Sequence, residues 1–178
     1  MKIAIVGSEP ETWHQVPELS KEWELWRFSR RNWNKPPVAR RWFELHHPRN
    51  YPRYEQACPG YTKFLQDTKA VTYKAFPFER LLDEFGPYFF TWGQIPWIMA
   101  YAITLDPDEI GLWGIEPAGD YKPQHAEVQH FAQVARDRGI VVSAPLGRVL
   151  QPRKLYALEK DYSHEAAMQA IFAPPPAA

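Results

Sequence analysis

The residues that most directly suggest chemistry are a carboxylate and an imidazole, Glu44 and His46, two positions apart. On a β-strand, side chains at this spacing point to the same side, so the two groups would face one another. Such a pair could hold a sugar hydroxyl or remove its proton, because imidazole titrates near neutral pH. The structural alternative is that Glu44 pairs with a nearby arginine and that His46 is an ordinary loop residue.

A second candidate base is His125, in a segment that also contains Gln124, Glu127 and His130. We assign His125 to catalysis and Gln124 to cofactor binding, although surface helices often carry such residues without a function. The six histidines are scattered, and neither a His-x-x-x-His nor a paired-cysteine spacing occurs. The sequence therefore predicts no metal site.

The opening of the chain predicts a phosphate-binding turn. Residues 3–6 form an apolar run typical of a strand buried on both faces, and Gly7 and Ser8 follow at once. Where such a strand turns sharply into a helix, free backbone N–H groups converge and can bind a phosphate. The single glycine fits neither the dinucleotide fingerprint nor a P-loop, so a tight turn without a ligand is the alternative.

Two further segments have a similar interpretation. Thr91 and Trp92 precede a predicted helix, where a hydroxyl and exposed N–H groups would suit a phosphate. Alternatively, Thr91 caps that helix and Trp92 fills the core. Glu116 follows Gly114 at the end of a predicted buried strand, a position from which a carboxylate can bind a ribose. A solvated loop acid is the alternative there.

A basic and aromatic stretch extends from Arg27 to Arg41. Its cations are Arg27, Arg30, Arg31, Lys35, Arg40 and Arg41. The indoles within and beside it are Trp26, Trp33 and Trp42. Interleaved cations and indoles could grip a phosphate or a single nucleic-acid strand. The alternative is a solvated face with half-buried indoles.

The alternation of strand and helix patterns predicts the scaffold that would position these residues. Strands are predicted at 3–6, 23–29, 39–46, 71–76, 109–115 and 140–142, and helices at 51–68 with a break near residue 60, at 77–85, from Gln94 onwards and at 124–138. This order predicts one α/β domain over residues 1–172, with a mostly parallel sheet of about six strands flanked by helices, followed by a disordered tail at 173–178. The third strand could pair after an irregular crossover or lie across the sheet. Ligands of such sheets bind at the carboxyl ends of the strands, where the candidate residues should converge.

Composition excludes several functional classes. The chain has 178 residues, with 21 basic and 21 acidic side chains, so no strong field favours duplex DNA or a membrane surface. The single cysteine, Cys58, rules out an internal disulfide and fits a reducing cytoplasm. No apolar run approaches the roughly 20 residues of a membrane span, and no signal-peptide pattern opens the chain.

Several blocks, in order from Met1 to about Pro145, resemble a family known mainly as uncharacterised proteins of phages and prophages. The matching blocks are Gly7-Ser8-Glu9-Pro10-Glu11, Trp23-Glu24-Leu25-Trp26, Arg41-Trp42-Phe43-Glu44-Leu45-His46, Phe90-Thr91-Trp92, Ile110 to Glu116 and Ala135 to Ile140. More distantly, the opening block and the Gly-x-acid strand end are similar to bacterial sialyltransferases that use a CMP-sugar and to pterin-pyrophosphokinase-like proteins. In those proteins the two motifs line the nucleotide site.

This resemblance implies a Rossmann-like fold and a nucleotide- or nucleotide-sugar-dependent transferase of the glycosyltransferase type, acting in the cytoplasm of an infected bacterium. The residues that would hold the nucleotide are Gly7, Ser8, Pro10, Thr91, Trp92, Gly114, Glu116 and Gln124. Glu44, His46 or His125 would deprotonate the acceptor. The alternatives are a non-catalytic module that binds a nucleotide, a host protein or nucleic acid, and a phage structural protein.

Overall fold

The computed structural model describes residues 1–9, 22–28, 30, 33, 39–115, 124–144 and 149–150. Within them, the strands are β1 (Lys2–Val6), β2 (Trp23–Arg27), β3 (Arg41–Glu44), β4 (Val71–Thr72), β5 (Glu109–Trp113) and β6 (Val141–Ser143). They form one sheet in the order β4-β3-β2-β1-β5-β6, and every neighbouring pair is parallel. The predicted α/β class with a parallel sheet is therefore confirmed.

The described helices connect these strands. They are α1 (Tyr51–Ala57), α2 (Tyr61–Asp67), α3 (Phe78–Phe85), α4 (Gln94–Ile103) and α5 (Gln124–Asp137), and a short 3-10 turn at Pro48–Asn50 precedes α1. The predicted break in the first helical region lies at Gly60, whose φ of 87° is left-handed and cannot continue a helix. None of these helices is long and apolar enough to span a bilayer.

The third strand lies beside β2 and not across the sheet. Trp26 pairs with Arg41, and Arg27 pairs with Trp42, in parallel register. The sheet therefore runs outward from β1 through β2, β3 and β4 on one side, and through β5 and β6 on the other. Because the direction of winding changes between β1 and β5, the crevice at their carboxyl ends is the switch point at which open parallel sheets bind ligands.

Two helical layers cover the sheet. The larger core contains Ile3, Ile5 and Phe43 from the strands, packed with apolar residues of α3, α4 and α5. A second cluster contains Trp42 of β3 with residues of α1 and α2, such as Tyr61, and a third lies around Ala4 of β1 and Leu25 of β2. Neighbouring residues of β3 thus point to opposite sides, as the period of two in a strand requires. The predicted tail at 173–178 lies outside the described residues.

Candidate active site

Glu44 and His46 form a close pair at the carboxyl end of β3. Glu44 is the last residue of the strand and is only 1% exposed, and His46 Nδ1 lies 2.5 Å from its Oε1 atom. The backbone N–H of His46 donates to the same oxygen at 3.1 Å. The His46 side chain is 46% exposed, so one edge of its ring remains in solvent while Nδ1 is held by the carboxylate.

The second oxygen of Glu44 is held by a tyrosine from α2. Tyr61 donates its hydroxyl to Glu44 Oε2 at 2.7 Å and accepts a longer hydrogen bond, 3.3 Å, from the indole of Trp42. Burial, and then the charge of Glu44, raises the pKa of Tyr61, so its hydroxyl stays a donor at neutral pH. The carboxylate is therefore oriented by His46 and Tyr61, and none of the arginines that the structure describes forms an ion pair with it.

Two more tyrosines, both from α1, surround this pair. The ring of Tyr54 meets the His46 imidazole edge-on at 5.3 Å between centroids, and the Arg30 guanidinium lies 3.9 Å above the same ring. The buried hydroxyl of Tyr51 has no hydrogen-bond partner among the described residues. Burial, followed by the neighbouring Glu44 carboxylate, raises the pKa of Tyr51. Sequence reasoning missed Tyr51 and Tyr54, although their Tyr-x-x-Tyr spacing after His46 places both on one face of a helix.

The turn before α4 is organised around an internal carboxylate. Glu127, 4% exposed on α5, accepts the Thr91 N–H at 2.8 Å, the Thr91 hydroxyl at 2.6 Å and the Trp92 N–H at 3.3 Å. The exposed phosphate donors expected at Thr91 and Trp92 are therefore engaged within the protein. A carboxylate occupies the position proposed for a phosphate, and a second anion would be repelled there.

The two structural roles considered for this turn also need correction. Thr91 does not cap α4, because the N-cap residue is Gly93, which makes no side-chain cap hydrogen bond. Trp92 does not fill the core, since 56% of its surface is exposed. Its carbonyl instead accepts a hydrogen bond of 2.6 Å from the side chain of Gln124, so Gln124, Thr91 and Trp92 do lie together.

At the switch point, Gly7 and Gly114 are in direct backbone contact. The Gly7 N–H donates to the Trp113 carbonyl at 2.8 Å, and the Glu9 N–H donates to the Gly114 carbonyl at 3.0 Å. A Cβ at Gly7 would overlap the Gly114 carbonyl oxygen, which is a reason for glycine that needs no ligand. Since these two N–H groups bond to carbonyls at the end of β5, they are not free to bind the phosphate that the sequence predicts at this turn.

One side chain joins the β3 site to the start of α4. Gln94 accepts the Leu45 N–H at 3.1 Å and donates to the Phe28 carbonyl at 3.3 Å. Leu45 belongs to the core beneath α4, whereas Glu44 points toward α2. The histidine site and the Trp92 turn therefore approach the carboxyl edge from opposite faces of the sheet, and Gln94 fixes their spacing.

The remaining predicted residues are less informative. His125 is the second residue of α5, next to Gln124, whose side chain bonds to the Trp92 carbonyl. Pro10 and Glu116 lie outside the described residues.

The basic and aromatic stretch is not a continuous surface. Trp26, Trp42 and Arg27 are buried, and burial lowers the pKa of Arg27 to about 10. Arg41 is paired with Glu24 at 2.5 Å. Arg31 and Lys35 lie outside the described residues.

No protein-family model, curated protein or solved structure matches this chain. The class that the fold defines is a parallel, Rossmann-like α/β domain. Its candidate site is the glutamate–histidine pair at the carboxyl end of β3, supported by Tyr61.

Proposed function

We propose that this protein is a group transferase of the glycosyltransferase type, which uses a nucleotide sugar as donor and His46 as the base that activates an acceptor hydroxyl. The observation that carries the proposal is the bond between a buried carboxylate, Glu44, and a half-exposed imidazole at the carboxyl edge of a parallel sheet. A base held in one orientation by a second group is the arrangement that general-base catalysis needs.

The hydrogen bonds assign the role of each group. With its Nδ1–H donating to Glu44, His46 presents the lone pair of Nε2 to the acceptor. As Nε2 takes the hydroxyl proton, the acceptor oxygen forms a bond to the sugar carbon of the donor. The bond from that carbon to the nucleotide phosphate breaks, and the phosphate leaves with the electron pair. Glu44 stabilises the imidazolium that forms, and Tyr61 holds Glu44 in place.

The nucleotide sugar is proposed as the donor substrate on the basis of the fold class and of the resemblance of the sequence to other families. Parallel sheets bind nucleotides at the carboxyl edge near the switch point, which here lies beside Ser8 and Gly114. The sequence blocks that resemble phage proteins and CMP-sugar-dependent sialyltransferases support the same donor class and a role in the cytoplasm of an infected bacterium. Glycan or nucleic-acid hydroxyls are the acceptors that this chemistry would modify.

The test is turnover of a panel of nucleotide sugars, with release of the free nucleotide measured in the presence of mixed glycan and DNA acceptors. We expect His46→Gln to reduce kcat by about a hundredfold to ten-thousandfold, the range typical of a lost general base. His47→Gln is the matched control, because His47 is adjacent and exposed but is not bonded to Glu44. Equal activity of the wild type and His46→Gln on every active donor would refute the role of His46.

A binding module without turnover is the second candidate, and one observation favours it. The N–H donors of Gly7, Glu9, Thr91 and Trp92 are all satisfied inside the protein, which leaves fewer groups to stabilise a leaving phosphate. In that case a nucleotide would bind and be recovered unchanged, and both Glu44→Ala and His125→Ala would retain wild-type affinity. Chromatography of the bound nucleotide after prolonged incubation distinguishes the two functions.

A further inference from the structure

Trp92 combines an exposed side chain with a firmly held backbone. Its N–H donates to Glu127, and its carbonyl accepts the bond from Gln124, while 56% of the residue remains exposed. Both partners are buried side chains of α5. The indole offers a large apolar ring together with a polar N–H, which is why tryptophan is common at contact surfaces, and here it is exposed on a backbone that the protein holds.

The residues around Trp92 also hold the backbone of its turn. A Cβ at Gly93 would overlap the Gln124 side-chain amide, so that amide packs directly on the backbone of the turn. On the other side, Phe89 stacks on His130 of α5 with 3.7 Å between ring centroids and 9° between the planes. The turn is thus attached to α5 at both ends. The backbone that carries the indole is therefore already ordered, so a ligand that stacks on the ring does not have to order this turn.

Trp92 lies at the edge of the sheet that the proposed function uses. Two residues further along the chain, Gln94 begins α4 and bonds to the backbone N–H of Leu45, the neighbour of His46. The Trp92 turn is therefore near the carboxyl end of β3, on the face of the sheet opposite to the Glu44–His46 pair.

Glu127 restricts the kind of group that can bind at this turn. Because its carboxylate already takes the N–H groups of Thr91 and Trp92 and the Thr91 hydroxyl, these donors are not available to a phosphate, and the carboxylate would repel one. A flat, uncharged ring that stacks on the indole needs no hydrogen-bond donor from the turn and is not repelled by Glu127. Base–aromatic stacking works with any nucleobase, since every base has a π face.

We propose that Trp92 is a stacking platform for the heterocyclic base of the nucleotide substrate. The identity of the ligand rests on the proposed function, whereas the platform rests on the geometry of the turn. The base lies on the indole at the amino end of α4, and the sugar and phosphates extend from it along the carboxyl edge, away from Glu127. Trp92 is thus a binding residue and does not take part in the chemical step.

Equilibrium binding of mononucleotides tests this assignment. The variants are Trp92→Ala, which removes the ring, and Trp92→Phe, which keeps a smaller one. Leu82→Ala is the control for an exposed apolar residue elsewhere, on α3. The probes are CMP, UMP, AMP and GMP, with ribose 5-phosphate as the matched ligand without a base. Circular dichroism of each variant establishes that it is folded.

We expect Trp92→Ala to weaken mononucleotide binding by roughly tenfold to a hundredfold, the range for one stacked base. Ribose 5-phosphate binding should not change. Trp92→Phe should retain most of the affinity and lose the quenching of indole fluorescence that the bound base causes in the wild type.

The outcomes separate the two proposals. If the wild type binds mononucleotides and Trp92→Ala binds them equally well, the platform is refuted and the proposed function stands. If Trp92→Ala weakens binding while His46→Gln turns over nucleotide sugars normally, the platform stands and the role of His46 fails. If no mononucleotide binds the wild type, or if only single-stranded oligonucleotides depend on Trp92, the inference is overturned.

Discussion

Two tyrosines beside Glu44 should respond in opposite ways to the same change, the removal of one hydroxyl. Tyr61→Phe removes the donor to a carboxylate oxygen that is almost fully buried, at 2.7 Å. A hydrogen bond to a charged group contributes about 1.5–3 kcal/mol. The Trp42 indole N–H, which bonds to the same hydroxyl at 3.3 Å, loses its acceptor, at a further cost of about 1 kcal/mol. The free energy of unfolding should therefore fall by about 2.5–4 kcal/mol.

Tyr51→Phe is the matched control in the same cluster. Its hydroxyl is buried and has no partner among the described residues, so removing it breaks no hydrogen bond there. A buried hydroxyl without a partner costs about 1–3 kcal/mol, so Tyr51→Phe should be neutral or should stabilise the fold. The two variants are expected to differ by at least about 2 kcal/mol in the free energy of unfolding.

Urea denaturation at neutral pH measures this difference. With a slope of about 2 kcal/mol per molar urea, Tyr61→Phe should lower the midpoint by about 1–2 M, whereas Tyr51→Phe should leave it unchanged or raise it. The slope itself should be the same in all three proteins, since neither variant changes the surface exposed on unfolding. Equal losses for the two variants, or a larger loss for Tyr51→Phe, would refute the account of how Glu44 is held.

Three further variants test other parts of the structure. Glu127→Ala leaves the donors of the turn before α4 without an acceptor and should cost about 2–5 kcal/mol in urea denaturation, whereas Glu79→Ala, an exposed acid on α3, should cost little. N–H groups at the start of α2 lower the pKa of the Glu55 carboxyl group. The stabilisation by this carboxylate is therefore present above the pKa of an unfolded glutamate and is lost as the pH falls through the lower pKa of the folded state. Glu55→Gln should flatten the dependence of the urea midpoint on pH in acid, and the same dependence as in the wild type would contradict this. Gly7→Ala places a Cβ against the Gly114 carbonyl and should lower the free energy of unfolding by about 2–3 kcal/mol or more, so a wild-type midpoint would show that the two loops can separate.

Local patterns predicted most of the elements. The apolar run at 3–6 is β1, and the break near Gly60 separates α1 from α2. On α5, Val128 and Phe131 are three residues apart and both lie in the core, because this spacing places two side chains on one face of a helix. These predictions succeed because the period of apolar residues and the backbone preference of glycine act within a few residues. The place of β3 could not be predicted, since any strand with an apolar face can pair with several neighbours.

The candidate site likewise contains one contact that the sequence predicts and others that it does not. Glu44 and His46 are close because they are two residues apart on one strand, a relation that the sequence contains. Tyr61 is 17 residues from Glu44, and Glu127 is 36 residues from Thr91. Nothing in the spacing of either pair distinguishes it from the many pairs that do not meet.

The sequence by itself determined an alternating α/β chain and a carboxylate next to an imidazole at the end of a strand, because strand period and chain adjacency are local properties. Only the tertiary structure decided which polar groups remain available to a ligand. The N–H groups of Thr91 and Trp92 are satisfied by Glu127, and those of Gly7 and Glu9 by carbonyls at the end of β5. The His46 ring and the Trp92 indole stay exposed. Folding satisfies almost every buried donor with whatever acceptor it brings near, and that choice depends on contacts between distant parts of the chain.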